Sequence, residues 1–409
     1  MAELYKLENE IKHYAWGSPD MIPVLTGKAN PEKEPWAELW MGTHPGGPSK
    51  VTVGKKNLPL SELTELPFLF KFLAAEKPLS IQAHPNSAQA REGFEKENKK
   101  GIPLSAADRN YRDPGHKPEI ICALSPFTAM AGFREKTETE RLLSMISGTE
   151  NLKAALKEGY QPFLFALFNL NYAEKKALHD SVLNALIRRS AAPGRSLSAA
   201  MENPAENDLS LIRLCGELAQ SYPGDPGIIS PLYLNVIKLK PYEALFLPAG
   251  ILHAYIHGFA VECMANSDNV LRGGLTPKHI DIQELFSILS FEPYKPPLLK
   301  PVQTTSAGCF SYKKCCREFS LFLVKNPAAS EQPALPDGIK MELPEKGIAA
   351  VYDGAVEISI VNNGKENKPS RQKTIVLNKG ESAFIGRRKE EERIFFSGNF
   401  TLFFALAPK

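Results

Sequence analysis

The segment KPLSIQAHPN, residues 77–86, places Gln82 and His84 two positions apart in otherwise apolar sequence. Successive strand side chains point to opposite faces, so Gln82 and His84 share one face and Ile81 and Ala83 the other. Pro85 confines His84 to extended backbone. Two parallel polar side chains at this spacing can clasp one ion; the plainer alternative is a hydrogen-bonded pair at a solvated sheet edge. A second stretch, YRDPGHKPEIICALSPF at residues 111–127, sets Glu119 at the head of an apolar strand. A carboxylate there is unfavourable unless paired or bound to a metal, although a charged loop running into a strand would read the same way. A third stretch, FLPAGILHAYIHGFAVE at residues 246–262, carries Pro248, Gly250 and His253 in the spacing P-x-G-x-x-H. Proline and glycine make the turn, and His253 then points inward, as a ligand or as a core histidine satisfied by a carbonyl. The four side chains offer one amide oxygen, two imidazoles and one carboxylate. Imidazole suits Zn, Cu, Fe or Ni, and oxygen ligands extend the range to Mn. Two histidines and one carboxylate form a catalytic zinc set. With a single anionic ligand the bound dication stays net positive, which favours polarisation of a substrate oxygen.

The elements that would position these residues follow from patterning. Residues 1–132 read as strands and turns and hold all three tryptophans, Trp16, Trp36 and Trp40. Asn86, with Gln89 three residues on, has the form of a capping box opening a charged surface helix. From Arg134 the texture changes. EKTETERLLSMISG, TENLKAALKEG, AEKKALHDSVLNALIRRSA and DLSLIRLCGELAQSYP all space apolar residues helically. PGDPG at 223–227 closes this block. Alternation returns at 229–262, with a helix expected over HIDIQELFSILS, and from about residue 305 the pattern is β to the end. We expect a mainly β chain with a helical insertion. The pattern fits two β-sandwich domains, the first over 1–134 plus 223–304 with a helical insertion at 135–222, the second, a sandwich or jelly roll, over 305–409.

Composition narrows the function. A formal net charge of +3 over 409 residues does not call for a polyanionic partner. The basic clusters Lys99–Lys100 and Arg387–Lys389 lack interleaved aromatics and read as solvated faces, so no nucleic acid is expected. No apolar run approaches the roughly 20 residues that span a bilayer, and the polar N-terminus has no signal-peptide pattern. The six cysteines form no C-x-x-C pair. The expectation is a cytoplasmic monomer with reduced thiols, acting on a small molecule.

One longer stretch is more specific. HAYIHGFAVECMANSDNVLRGGLTPK, residues 253–278, closely resembles the long signature of the type I mannose-6-phosphate isomerases (phosphomannose isomerases). YRDPGHKPE resembles that family's shorter motif, and YAWGS, AELWMGTHPGGPS and PLSIQAHP match further blocks, so the resemblance runs from about residue 5 to 290. Gly115 and Gly273 depart from it, standing where the family usually has Asn and Ala. The resemblance implies a cupin-type jelly roll holding one zinc ion through Gln82, His84, Glu119 and His253. It also implies interconversion of mannose 6-phosphate and fructose 6-phosphate through a cis-enediol.

That reaction needs a base, and Glu262, nine residues after His253 on the following strand, is the first choice. The alternative is that Glu262 pairs structurally with a lysine or arginine. Arg272 resembles the family's essential arginine and could stabilise the enediolate or grip phosphate; alternatively it pairs with Asp268. Lys117 and Ser80, each two positions before a ligand, would face the same cavity, Lys117 for phosphate binding or proton transfer and Ser80 as a phosphate donor. Trp16 could wall the sugar and Lys278 add positive potential. His116 could assist ring opening but is expected to face away, while His13, His44, His179 and His279 read as surface or structural. Two other readings differ in what they require. An iron oxygenase with a facial triad would leave Gln82 idle. A non-catalytic sugar-sensing cupin should have lost a ligand, Glu262 or Arg272, and all are present.

Overall fold

The structure, a computed structural model, describes residues 3–190, 204–326, 338–341, 345–362, 370–387, 389 and 392–408. Residues 191–203 of the expected helical block therefore lie outside the described residues, as does the body of the turn expected in NNGKEN. Two β layers face each other around the site. The first runs in the order Leu298–Leu299, Ala244–Leu247, Glu119–Ala123, His253–Ala265, Phe68–Ala75, Glu38–Gly42, Glu10–Lys12, all antiparallel. The second brings together Leu234–Leu239, Phe127–Phe133, Ile81–Ala83 and Leu271–Gly274. Between the layers Leu73, Ile121, Ala123 and Ala260 meet Phe127, Ala129, Ile237 and Tyr255.

The strand His253–Ala265 serves both layers. Its first residues pair with Phe127–Phe133 and Gln82, and its later ones run between Phe68–Ala75 and Glu119–Ala123. The change of layer falls at Gly258, with φ +129. A Cβ there would lie 2.8 Å from the Pro126 carbonyl oxygen, so the crossing needs glycine.

Alternation sorts the first layer into two faces. Leu39, Phe70, Phe72, Ile120, Val261 and Cys263 point outward and pack on Leu321, Phe384 and Phe403 of the C-terminal sheet. Burying one such ring contributes roughly 1.5–3 kcal/mol, so this shared core fastens the C-terminal sheet to the layer that carries the site. The inward face instead sets Trp40 opposite Lys71, and Lys71 opposite Glu262. The C-terminal sheet is built on the long pair Gly347–Asn362 and Glu392–Leu406, and it recruits Leu4–Lys6 from the chain's start through Ser382–Ile385.

On the far side of the second layer lie helices Lys136–Leu143, Glu150–Glu158, Tyr160–Phe168, Tyr172–Ser190 and Pro204–Ser221. Their apolar faces share one core with Ile81, Ala83, Met130, Ala254 and Ile256. Ile81 and Ala83 thus anchor the short strand to the helical layer, and Gln82 is left facing the other way. Among the described residues no helix is long and apolar enough to cross a membrane.

Candidate active site

Ile81–Ala83 lies between two partners, with Gln82 opposite His253 on one side and Arg272 on the other. The strand ends at once. Asn86 caps Ser87–Lys99 with both reciprocal bonds of a capping box to Gln89, which fixes the chain's exit just past His84. His84 Nδ1 is 2.7 Å from the Asn269 carbonyl oxygen, and His253 Nδ1 is 2.9 Å from that of Ile251. Carbonyl oxygens only accept, so both Nδ1 atoms carry hydrogen and both Nε2 atoms present lone pairs. His84 Nε2 stands 3.2 Å from Glu119 Oε1, and His253 Nε2 stands 3.5 Å from Glu119 Oε2. All three residues are buried, and their ligand atoms lie within 4.8 Å of one another. His84 Nε2, His253 Nε2 and Glu119 Oε2 have no hydrogen-bond partner. Three buried acceptors aimed at each other are unfavourable unless a cation joins them.

Electrostatics point the same way. Burial lowers the His84 pKa to about 4, which keeps the imidazole neutral. Burial pushes Glu119 up, but Lys117, 3.0 Å from Oε1, and the imidazoles hold it well below the usual carboxylate range. Two imidazoles and a carboxylate fit one zinc ion. Gln82 lines the same cavity as Glu119. Asn269, which orients His84, also latches the 111–119 loop. Its side-chain amide donates to the Asp113 and Gly115 carbonyls and accepts from Arg112 N–H.

Glu119 and Glu262 share an inner chamber of about 170 Å³. There Lys71 Nζ lies 2.6 Å from Glu262 Oε2 and 2.9 Å from Glu38 Oε1. Tyr255 O–H donates to Glu262 Oε1 at 2.8 Å, and Trp40 Nε1–H donates to Glu38 Oε2 at 2.7 Å. Burial raises Glu262 above its ordinary value of 4.5, although Lys71 opposes the rise. Burial disfavours the Lys71 cation, yet the two carboxylates more than offset it and raise its pKa. Glu262 thus faces the chamber and also pairs with a lysine. Sequence reasoning missed Lys71, Glu38 and Tyr255. The available signal was a lone lysine inside FLFKFLAA, a charge that burial obliges to find partners.

An outer cleft of about 870 Å³ opens from this chamber, sharing Tyr14, Leu79, Gln82 and Asp268 with it. Trp16, Ser80, Arg112, Arg272 and Lys278 line it. Trp16 stacks on Tyr14 with ring centroids 5.7 Å apart. Arg272 is half-buried, and the pairing with Asp268 that sequence allowed does not form. Among the described residues no carboxylate pairs with Arg272, Arg112 or Lys278. Burial and then the neighbouring cations lower the pKa values of Arg272 and Lys278. Three cations, none of them ion-paired among the described residues, make an anion site.

Lys117 lies in the inner chamber, not in this cleft. His116 turns to Glu318, 2.7 Å away on the C-terminal segment. His13 and His279 are exposed, and His179 contacts the Ala219 carbonyl. His44, read as surface or structural, is buried and faces Asp268. At Gly273, in the strand Leu271–Gly274, a Cβ would come 2.9 Å from Leu252 Cδ1, and at Gly115 2.8 Å from Asp113 Oδ1, so glycine lets both segments pack closely.

Comparison with known proteins agrees with this arrangement. The family model for the phosphomannose isomerase type I catalytic domain matches residues 4–136. Mannose-6-phosphate isomerase of Salmonella typhimurium is 39% identical over 403 residues, which cover 94% of this chain and 95% of that one. The Homo sapiens mannose-6-phosphate isomerase is 32% identical over 424 residues, covering 94% and 93%. Among solved structures, a zinc-bound mannose 6-phosphate isomerase matches with a TM-score of 0.82 at 35% identity, covering 99% of this chain and 100% of that one. The Salmonella typhimurium enzyme bound to its substrate fructose 6-phosphate and zinc matches equally, with a TM-score of 0.82, 35% identity and the same 99% and 100% coverage. With such likeness along nearly its whole length, the chain belongs to the type I phosphomannose isomerase family.

Proposed function

We propose that this two-chambered cavity interconverts mannose 6-phosphate and fructose 6-phosphate through a cis-enediol, with one zinc ion held by Gln82, His84, Glu119 and His253. The observation that carries the reading is the trio of buried acceptors on His84, His253 and Glu119 that converge without a partner. Zinc bound there supplies Lewis-acid polarisation of a substrate oxygen. The remaining chemistry belongs to side chains. Arg272, Lys278 and Ser80 hold the phosphate in the outer cleft, and Trp16 walls the sugar's C–H face. Asp268, which lines both chambers, accepts a hydrogen bond from the anomeric hydroxyl as the ring opens.

Carbons 1 and 2 then sit in the inner chamber. The Glu262 carboxylate takes the proton from C2, and the bonding pair forms the enediol double bond. The same carboxyl returns the proton to C1, so the step is redox-neutral and needs no co-reactant. Lys71 and Tyr255 hold the two Glu262 oxygens in place. Lys117 gives a proton to O1 and recovers one from O2.

We assign this chemistry to residues 1–134 plus 223–304, apart from the Leu4–Lys6 strand, with 135–222 and 305–409 as flanking helical and β domains. We place the protein as a cytoplasmic monomer; its six free cysteines support the compartment. Chelation tests the proposal. Stripping metal should abolish conversion of mannose 6-phosphate in a coupled assay, and one equivalent of zinc should restore it. Full activity in the stripped protein would refute it.

A further inference from the structure

The block AELWMGTHPGGPS, residues 37–49, enters the chemistry above only through Glu38 and Trp40. Its next histidine is just as deeply set. His44 is 3% exposed and meets the Trp40 indole edge-on, with ring centroids 5.0 Å apart. Its Nδ1 lies 3.1 Å from the backbone N–H of Gly46. A backbone N–H only donates, so Nδ1 is the acceptor and the ring hydrogen sits on Nε2. Pro45 between them has no N–H to compete. Gly46 permits the approach, because a Cβ there would lie 3.2 Å from Nδ1 and 3.4 Å from the indole Cζ3. The turn therefore selects one tautomer and aims one donor. That donor, Nε2, lies 3.4 Å from Asp268 Oδ1. Among the described residues, His44 is the only side chain paired with this carboxylate. Asp268 is tied elsewhere by its backbone N–H, which donates to Asp113 Oδ2 at 2.8 Å.

We infer that His44 is a positioning residue for the isomerisation: its Nε2–H fixes the Asp268 carboxylate at the junction of the two chambers, where it meets the sugar's hydroxyls. This rests on the role given above to Asp268. The contact also has an electrostatic signature. The His44 hydrogen bond holds Asp268 below the usual carboxylate range; burial opposes it, and Lys117 and Arg112 act with it. The charged and titratable groups facing Asp268 are thus His44, Arg112, Lys117, Arg272, Asp113 and Tyr14. Without His44 the carboxyl pKa rises, so activity that needs the ionised form fails at a higher pH.

The test compares zinc-loaded His44→Leu and His44→Gln, the latter keeping an amide N–H near the Nε2 position, with Asp268→Asn as the control for the underlying reading. His44→Leu should lower kcat/KM by roughly 10–100-fold, as loss of an orienting partner does at metal sites. It should also move the acid limb of the pH profile upward and leave zinc content unchanged. His44→Gln should recover most of both changes, and His44→Leu should add nothing to Asp268→Asn. If His44→Leu does not fold, Gly46→Ala, which crowds Nδ1, should move the acid limb the same way. An impaired Asp268→Asn beside a fully active His44→Leu overturns the inference. So does a His44→Gln enzyme whose kcat/KM stays low with an unmoved acid limb. A fully active Asp268→Asn instead overturns the role of Asp268 itself.

Discussion

In the inner chamber Lys71 lies within 2.9 Å of two carboxylates, whereas in the outer cleft Arg272, Arg112 and Lys278 form no ion pair among the described residues. The buried ions of the inner wall, Lys71, Glu38, Glu262, Lys117 and Glu119, are matched in charge, because an unpaired buried ion is prohibitive. The exception is the trio of acceptors His84 Nε2, His253 Nε2 and Glu119 Oε2, which have no hydrogen-bond partner although Lys117 reaches Glu119 Oε1. The outer cleft is more exposed at Arg112 and Lys278, so its cations survive without an ion pair, and Asp268 is the one carboxylate lining it among the described residues. Each chamber thus keeps polar groups that its own walls leave unpaired, acceptors in the first and cations in the second. A metal ion completes the first and a phosphate the second. The two deficits lie on opposite sides of Gln82, Leu79 and Asp268, which line both chambers. A sugar phosphate bridging them would have its reacting carbons at one end and its charge at the other.

Substitutions can break this contrast from either side. Arg272→Ala should have the largest effect, a fall in kcat/KM of roughly 10²–10³-fold, typical of losing one donor to developing or fixed negative charge. Zinc content, read by metal analysis, should not change; if zinc is lost with it, Arg272 is structural.

Lys71→Met breaks the matched side. It strands Glu262 and Glu38 and should destabilise the fold by roughly 3–5 kcal/mol, measured by denaturant unfolding. The pH profile should change as well. The base must be ionised, and its pKa is already raised above 4.5 by burial while Lys71 pulls it down. Removing Lys71 therefore moves the acid limb of kcat/KM to higher pH; an unmoved limb would detach Glu262 from it.

Gln82→Glu is the gentlest change. A second anionic ligand lowers the net charge at the metal, and turnover should fall by about tenfold with zinc retained, of the order expected when a ligand environment is retuned. Unchanged turnover would mean that the neutral amide has no electrostatic purpose.

Much of this was legible in the sequence. The strand–helix–strand order, the capping box at Asn86 and the inward direction of Gln82 all follow from local periodicity, and the structure has them. The apolar pair Ile81 and Ala83 decides that direction by burying itself against the helices. What local pattern does not carry is register. Lys71 and Glu262 are 191 residues apart, and only the antiparallel pairing of their strands sets them side by side. His44 shows the same limit: its Gly46 bond is local, but its partner Asp268 comes from a loop after the His253–Ala265 strand. The Leu4–Lys6 strand joins the C-terminal sheet for a similar reason, since a three-residue strand bears no mark of which sheet edge it will complete.

The most direct measurement follows the C2 hydrogen of mannose 6-phosphate in zinc-loaded Glu262→Gln by NMR in deuterated water. The amide keeps the shape and the Tyr255 contact but cannot accept the proton. The account predicts unimpaired sugar-phosphate binding and full zinc content, with neither transfer of the C2 hydrogen to C1 nor its exchange with solvent. Transfer or exchange at the wild-type rate would contradict it and move the base to another residue.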